Sequence, residues 1–145
     1  MTTNVSRTFK VRPAPELVLA YLKDFGHAEQ WDPGTQSCRR IDSGPIEVGA
    51  SWHNKSKIAG LETELTYTLE RLTADTIVLV GRNDSATSTD TITVRECESG
   101  SEITYRAEIE MHGPAAKLAS PLVKLVFEKL GNDTERQLTE VLNAL

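Results

Sequence analysis

The last part of the chain carries a hydrophobic pattern of helical period. Between Gly113 and Leu145 apolar residues recur at spacings of three, four, seven and eight, which predicts one long amphipathic helix. Its straight part, from Pro121 to Leu142, should be roughly 33 Å long at about 1.5 Å per residue. A helix with one apolar face needs a surface to cover, so the preceding chain should supply a sheet. The stripe consists of Leu118, Leu122, Leu125, Val126, Leu130, Leu138, Val141, Leu142 and Leu145.

Most of the preceding chain alternates between apolar and polar residues with period two, which predicts strands. The first strand includes Val5 to Val11. Two short helices follow, the first with its apolar positions between Leu17 and Phe25 and the second ending at Trp31. Short turns then separate six more strands, which favours an antiparallel meander. These strands are predicted at about Gln36–Ile41, Ala50–Lys57, Glu62–Leu72, Thr76–Arg82, Thr87–Glu96 and Glu102–Met111.

The alternation also predicts which side chains face the helix. In the fourth strand Leu65 and Tyr67 lie on one face, and threonine and glutamate residues lie on the other. In the seventh strand Tyr105, Ile109 and Met111 lie on one face, and charged residues lie on the other. These phases place apolar side chains and two phenols on the inner face.

Two other strands add polar groups to that face. Asp90 shares its face with Ile92, which makes it a candidate inward carboxylate. In the third strand Trp52, Asn54 and Ser56 share one face. Lys55 and Lys57 lie on the other face, which the lysines mark as the one exposed to solvent. An inner wall of mixed polarity is more typical of a cavity than of a solid core.

Composition limits the classes of protein to consider. The 145 residues, of which 39% are hydrophobic and 26% charged, fit one globular domain over residues 1–145. The formal net charge of −5 argues against nucleic acid or an anionic membrane as partner. No apolar run resembles a signal peptide or a membrane span, so stable membrane insertion is not expected and the cytoplasm is the expected location.

The sequence gives little sign of metal or cofactor chemistry. Cys38 and Cys97 are far apart and are expected to be reduced thiols, and the three histidines show no zinc-ligand spacing. No nucleophile-elbow, phosphate-loop or dinucleotide-binding motif is present. We therefore expect no cofactor and no metal site.

Several segments resemble the polyketide cyclase/dehydrase and lipid-transport (SRPBCC) superfamily, which includes START domains and birch-pollen-allergen-like proteins. The likeness runs the whole length and is strongest for the small bacterial polyketide-cyclase-like branch. It implies an α+β helix-grip fold, in which a seven-stranded curved antiparallel sheet surrounds the C-terminal helix and two short helices follow the first strand. It rests on the segments Ala14–Gly34, Val48–Trp52, Leu65–Leu72, Asp90–Val94 and Pro121–Asp133.

The resemblance implies a hydrophobic small molecule, of lipid, polyketide or isoprenoid type, held between sheet and helix. The stripe of the long helix should then divide, with Leu138, Val141, Leu142 and Leu145 sealing against the sheet and its first part contacting a ligand. A monomer or weak homodimer would suffice for this role. The candidate ligand-binding residues are Trp31, Trp52, Asn54, Leu65, Tyr67, Leu79, Asp90, Ile92, Tyr105, Ile109, Met111, Leu118, Leu122, Leu125 and Val126.

Two alternatives stay open at this stage. The chain could be a polyketide aromatase/cyclase or dehydratase, with Asp90 as acid or base and Tyr67 or Tyr105 polarising a ketone. Each of these residues could instead be structural, with Asp90 hydrogen-bonded to Tyr105, Tyr67 or Asn54. The chain could also be a protein-interaction module, which predicts a filled core and an exposed apolar patch.

Overall fold

The period-two segments form seven strands close to the predicted bounds. The computed structural model describes residues 2–58, 60–113 and 121–145, together with all side chains in these ranges except those of residues 121 and 122. The described part of the long helix starts at Pro121, the first residue of its predicted straight part, and the two short helices follow the first strand. The elements are β1 (Thr2–Val11), α1 (Pro15–Leu22), a 3-10 turn (Phe25–His27), α2 (Ala28–Trp31), β2 (Thr35–Arg40), β3 (Ser51–Ile58), β4 (Leu61–Leu72), β5 (Thr76–Arg82), β6 (Ala86–Cys97), β7 (Gly100–Met111) and α3 (Pro121–Asn143).

The strands form one antiparallel sheet in the order β1-β7-β6-β5-β4-β3-β2. Consecutive strands pair from β2 to β7, whereas β1 adds to the far edge beside β7. The helical segment between β1 and β2 therefore joins the two opposite edges of the curved sheet. The predicted α+β helix-grip fold is confirmed.

The predicted phases of the strands also hold. Trp52, Asn54 and Ser56 are buried on the inner face of β3, whereas Lys57 on the opposite face is exposed. Asp90 is buried, with 4% of its surface exposed. Alternation determines these orientations because neighbouring residues of a strand point to opposite faces.

The middle and the end of helix α3 contact the sheet closely. A Cβ atom on Gly131 would lie 2.6 Å from Cγ2 of Val5, so glycine permits the helix to approach β1. Beyond it, Leu138 and Leu142 are fully buried in the core. Leu145 is 53% exposed, so the prediction that it seals against the sheet is wrong. The helix ends at Asn143, and Leu145 therefore lies past its last turn.

Arg7 of β1 binds the middle of α3 through three hydrogen bonds. Its guanidinium donates to the backbone oxygen and the carboxylate of Glu128 and to Oδ1 of Asn132, each at 3.0 Å. The side chain of Arg7 is 20% exposed, so water screens these contacts incompletely. Together with Gly131, Arg7 fixes the level at which α3 meets the sheet.

Within the described residues, the helices are too short or too polar to span a bilayer.

Candidate functional site

The inner face of the sheet carries a group of polar side chains near its centre. Tyr67 of β4 pairs with Gly81 of β5, which in turn pairs with Ser88 of β6. Because Gly81 has no side chain, the Tyr67 ring lies over it, which brings the hydroxyl close to Ser88. Burial, and then the nearby Asp90, raise the pKa of Tyr67 well above its usual value, so the phenol stays neutral.

Asp90 lies beside this pair and close to the Tyr105 hydroxyl. Burial, and then the Asp32 carboxyl, raise the pKa of Asp90 to about 8, although the nearby Tyr105 hydroxyl opposes the shift. Burial and the neighbouring Asp90 raise the pKa of Tyr105 well above its usual value. At neutral pH the Asp90 carboxyl is therefore mainly protonated and can donate a hydrogen bond.

The corner after α2 covers one side of this polar group. Trp31 packs edge-on against Tyr105, with ring centroids 5.9 Å apart, and is fully buried. Its Nε1 lacks a hydrogen-bond partner, alone among buried side-chain nitrogen and oxygen atoms of the described residues. A buried donor without a partner costs free energy and is available to an acceptor.

Asp32, the next residue, holds the corner together. Its carboxylate accepts hydrogen bonds from the Gly34 amide at 3.0 Å and from the Thr35 hydroxyl at 2.8 Å. The residue keeps some exposed surface, but its carboxyl is enclosed enough that burial raises its pKa despite these two bonds. The corner thus brings a second carboxyl close enough to influence Asp90.

A second set of polar groups extends from the corner along β3. Ser56 donates to Oδ1 of Asn54 at 2.6 Å, and the Asn54 amide donates to the Thr35 hydroxyl at 3.1 Å. Asn54 therefore bonds its neighbours on β2 and β3. Trp52 is fully buried and donates from Nε1 to Asp24 at 3.3 Å, so its polar atom is satisfied within the protein.

The structure has a groove of about 450 Å³ where the first part of α3 stands away from the end of β3. Its volume lies within the range of small-molecule sites, roughly 300–1,000 Å³. Leu125, on the helix side, is 66% exposed. Ile58, on the sheet side, packs against Gly34 of the corner, so the groove adjoins the segment that holds Trp31. The groove is lined by Lys57, Ile58, Leu125, Val126, Lys129, Leu130 and Asp133.

The predicted candidate residues do not form a single cluster. Leu125 and Val126 line the groove. Ile109 and Met111 lie toward the end of β7 and are only partly buried. Leu118, and the side chain of Leu122, lie outside the described residues. The inner-face group, all buried, consists of Trp31, Trp52, Asn54, Leu65, Tyr67, Leu79, Asp90, Ile92 and Tyr105.

Three residues that shape the site do not stand out from the sequence pattern. Gly81 was not singled out, although a glycine inside a strand often marks a close approach by another group. Ser88 lies two residues before Asp90 and shares its inward phase, but alternation does not indicate that it lies close to Tyr67. Lys57 was assigned to solvent, and its place beside the groove depends on how far α3 stands from β3.

The matching family model covers residues 2–142 and is described as polyketide cyclase / dehydrase and lipid transport. The chain belongs to this family. The predicted resemblance to SRPBCC proteins is thereby confirmed. No curated protein matches the sequence.

Solved structures show the same fold at low sequence identity. A protein from Thermus thermophilus is 13% identical, with a TM-score of 0.79 over 99% of this chain and 98% of that one. The Zhui aromatase/cyclase from Streptomyces sp. R1128 is 13% identical, with a TM-score of 0.74 over 99% and 93%. A START superfamily protein from Mycobacterium smegmatis is 17% identical, with a TM-score of 0.71 over 97% and 94%. At these identities the likeness establishes the fold and leaves the ligand open.

Proposed function

We propose that this family member binds a hydrophobic small molecule between the inner face of the sheet and the first part of α3. The observation that carries the proposal is the groove of about 450 Å³, whose walls include Ile58, Leu125 and Val126. Leu125 is 66% exposed, and an apolar side chain this exposed in a concave wall favours an apolar ligand.

The polar groups of the inner face would set which part of a ligand lies deepest. Tyr67, Tyr105 and the protonated Asp90 can each donate a hydrogen bond, and Trp31 Nε1 has no partner. These groups suit a neutral oxygen such as a ketone or hydroxyl, since bonding it would cost little desolvation of charge.

Ligand binding can be tested with the purified chain and one pair of variants. Native mass spectrometry would look for a co-purified molecule, and an apolar fluorescent dye would report displacement by a panel of lipids and aromatic compounds. Leu125→Glu places a charge in the groove, whereas Leu17→Glu is a matched control because Leu17 is 58% exposed on α1 and does not line it. We expect about tenfold weaker binding for Leu125→Glu and no change for the control. Absence of a bound molecule and of affinity across the panel would contradict the proposal.

A second candidate function is cyclisation or dehydration of a polyketide. The observation in its favour is the Asp90 carboxyl, whose pKa of about 8 and contact with Tyr105 suit a general acid. Asp90→Asn keeps the shape of the side chain and removes its acidity. Turnover of a poly-β-ketone substrate should then fall by at least about a hundredfold. Unchanged turnover would remove Asp90 from the chemistry.

A further inference from the structure

The groove offers a cation to a ligand, whereas the inner polar group does not. At the groove, Lys129 is paired with Asp133 at 3.0 Å, while Lys57 is exposed and makes no ion pair among the described residues. The groove lining as a whole, with two lysines and one aspartate, therefore carries a net positive charge.

The inner face lacks a cation that could pair with a ligand. Asp90 is the one acidic or basic residue in the buried part of the described chain, and Asp32 is close enough to raise its pKa. Arg7 also points inward, but Glu128 and Asn132 already accept its hydrogen bonds. A negative group moved to this face would lie near the Asp32 carboxyl and lack a free cation, which is costly in a poorly hydrated site.

The two observations together determine the orientation of an amphiphile. We propose that the ligand is an apolar molecule with one carboxylate end, which stays at the groove beside Lys57 while the uncharged body extends toward Trp31 and the inner face. This inference rests on the proposed binding function and adds the class of ligand and its direction. A single lysine without a partner matches a single negative charge.

Tryptophan fluorescence can report the direction, because Trp31 and Trp52 are the two tryptophans of the chain and both are fully buried. Bromine quenches tryptophan only at short range. Dodecanoate brominated at its terminal carbon should quench the emission, whereas dodecanoate brominated next to the carboxylate should have little effect. Stronger quenching by the second compound would overturn the proposed direction.

The role of Lys57 is tested by titrating dodecanoate, dodecanol and dodecylamine against two charge-reversal variants. Lys57→Glu should weaken dodecanoate binding about fivefold more than it weakens dodecanol binding. Lys55→Glu is the matched control, since Lys55 lies two positions earlier on the same face of β3, outside the groove lining, and changes the net charge equally. Equal effects of the two variants on dodecanoate would overturn the inference.

The three compounds also separate this inference from the function on which it rests. Tighter binding of dodecanol or dodecylamine than of dodecanoate would refute the inference that the ligand has a carboxylate end, but it would leave the proposed binding of a hydrophobic molecule intact. If none of the three compounds bound and no dye were displaced, the proposed binding function would fail as well.

Discussion

The ring of Tyr67 lies directly over Gly81, and a methyl group at residue 81 would come within 2.6 Å of the Tyr67 Cε2 atom. The Tyr67 ring of β4 thus fills the space that a side chain at residue 81 of β5 would occupy. The arrangement directs the Tyr67 hydroxyl across β5 to Ser88 and brings the phenol near Asp90. The absence of a side chain at Gly81 is therefore a requirement of the polar group.

Gly81→Ala should displace the Tyr67 ring and destabilise the fold by about 1–3 kcal/mol, the usual cost of overpacking a core. Urea unfolding would measure the loss of stability. The same substitution in a Tyr67→Ala background should cost much less, because the clashing ring is gone. If the two substitutions were additive, the contact between Gly81 and Tyr67 would not be the cause.

The two cysteines should differ strongly in reactivity. Cys38 is buried, and burial raises the pKa of its thiol to about 12, so almost no thiolate forms at neutral pH. Cys97 is partly exposed on β6. Mass spectrometry after brief iodoacetamide treatment at pH 7.5 should find Cys97 modified and Cys38 modified only in urea. Equal labelling of both residues in the folded protein would contradict the burial of Cys38.

The Arg7 contacts should stabilise the middle of α3. Arg7→Ala removes three hydrogen bonds to the helix and should cost about 1–2 kcal/mol, since partly buried charged bonds are worth more than exposed ones. Amide hydrogen exchange should show faster opening of the helix between Val126 and Asn132.

Arg106→Ala is the control for Arg7. Arg106 pairs with Glu108 at 3.0 Å, but its side chain is 52% exposed on the same sheet, so its loss should change stability by less than about 0.5 kcal/mol. Similar losses of stability for both substitutions would show that the Arg7 contacts with α3 contribute no more than an exposed ion pair.

Local pattern predicted much of the fold and part of the site. The inward positions of Tyr67, Asp90 and Tyr105 follow from period-two alternation, which depends only on neighbouring residues. The effect of Asp32 on Asp90 could not be predicted, because it depends on how the corner after α2 closes over the sheet. The passage of the Tyr67 ring over Gly81 depends on the register between β4 and β5. Hydrophobic periodicity does not specify either relationship.

Asp90 should make the protein less stable as pH rises. Its pKa is about 8 in the folded protein and near 4 in the unfolded chain, so between these values the folded state holds one more proton. Each pH unit in this window should therefore cost up to about 1.4 kcal/mol of unfolding free energy from this group. Its stabilising contribution is complete below pH 4 and lost by about pH 8.

Asp90→Asn isolates this contribution, because asparagine has nearly the same shape and does not titrate. Urea unfolding of both proteins between pH 4.5 and 8.5 should show the variant gaining stability relative to the natural protein as pH rises, with the difference levelling off above pH 8. The comparison cancels other titrating groups, including Asp32, as long as the substitution leaves their pKa values unchanged. If the two pH profiles ran parallel, Asp90 would have the same pKa in the folded and the unfolded protein. Its carboxyl would then be ionised at neutral pH and could not donate a hydrogen bond in the inner polar group.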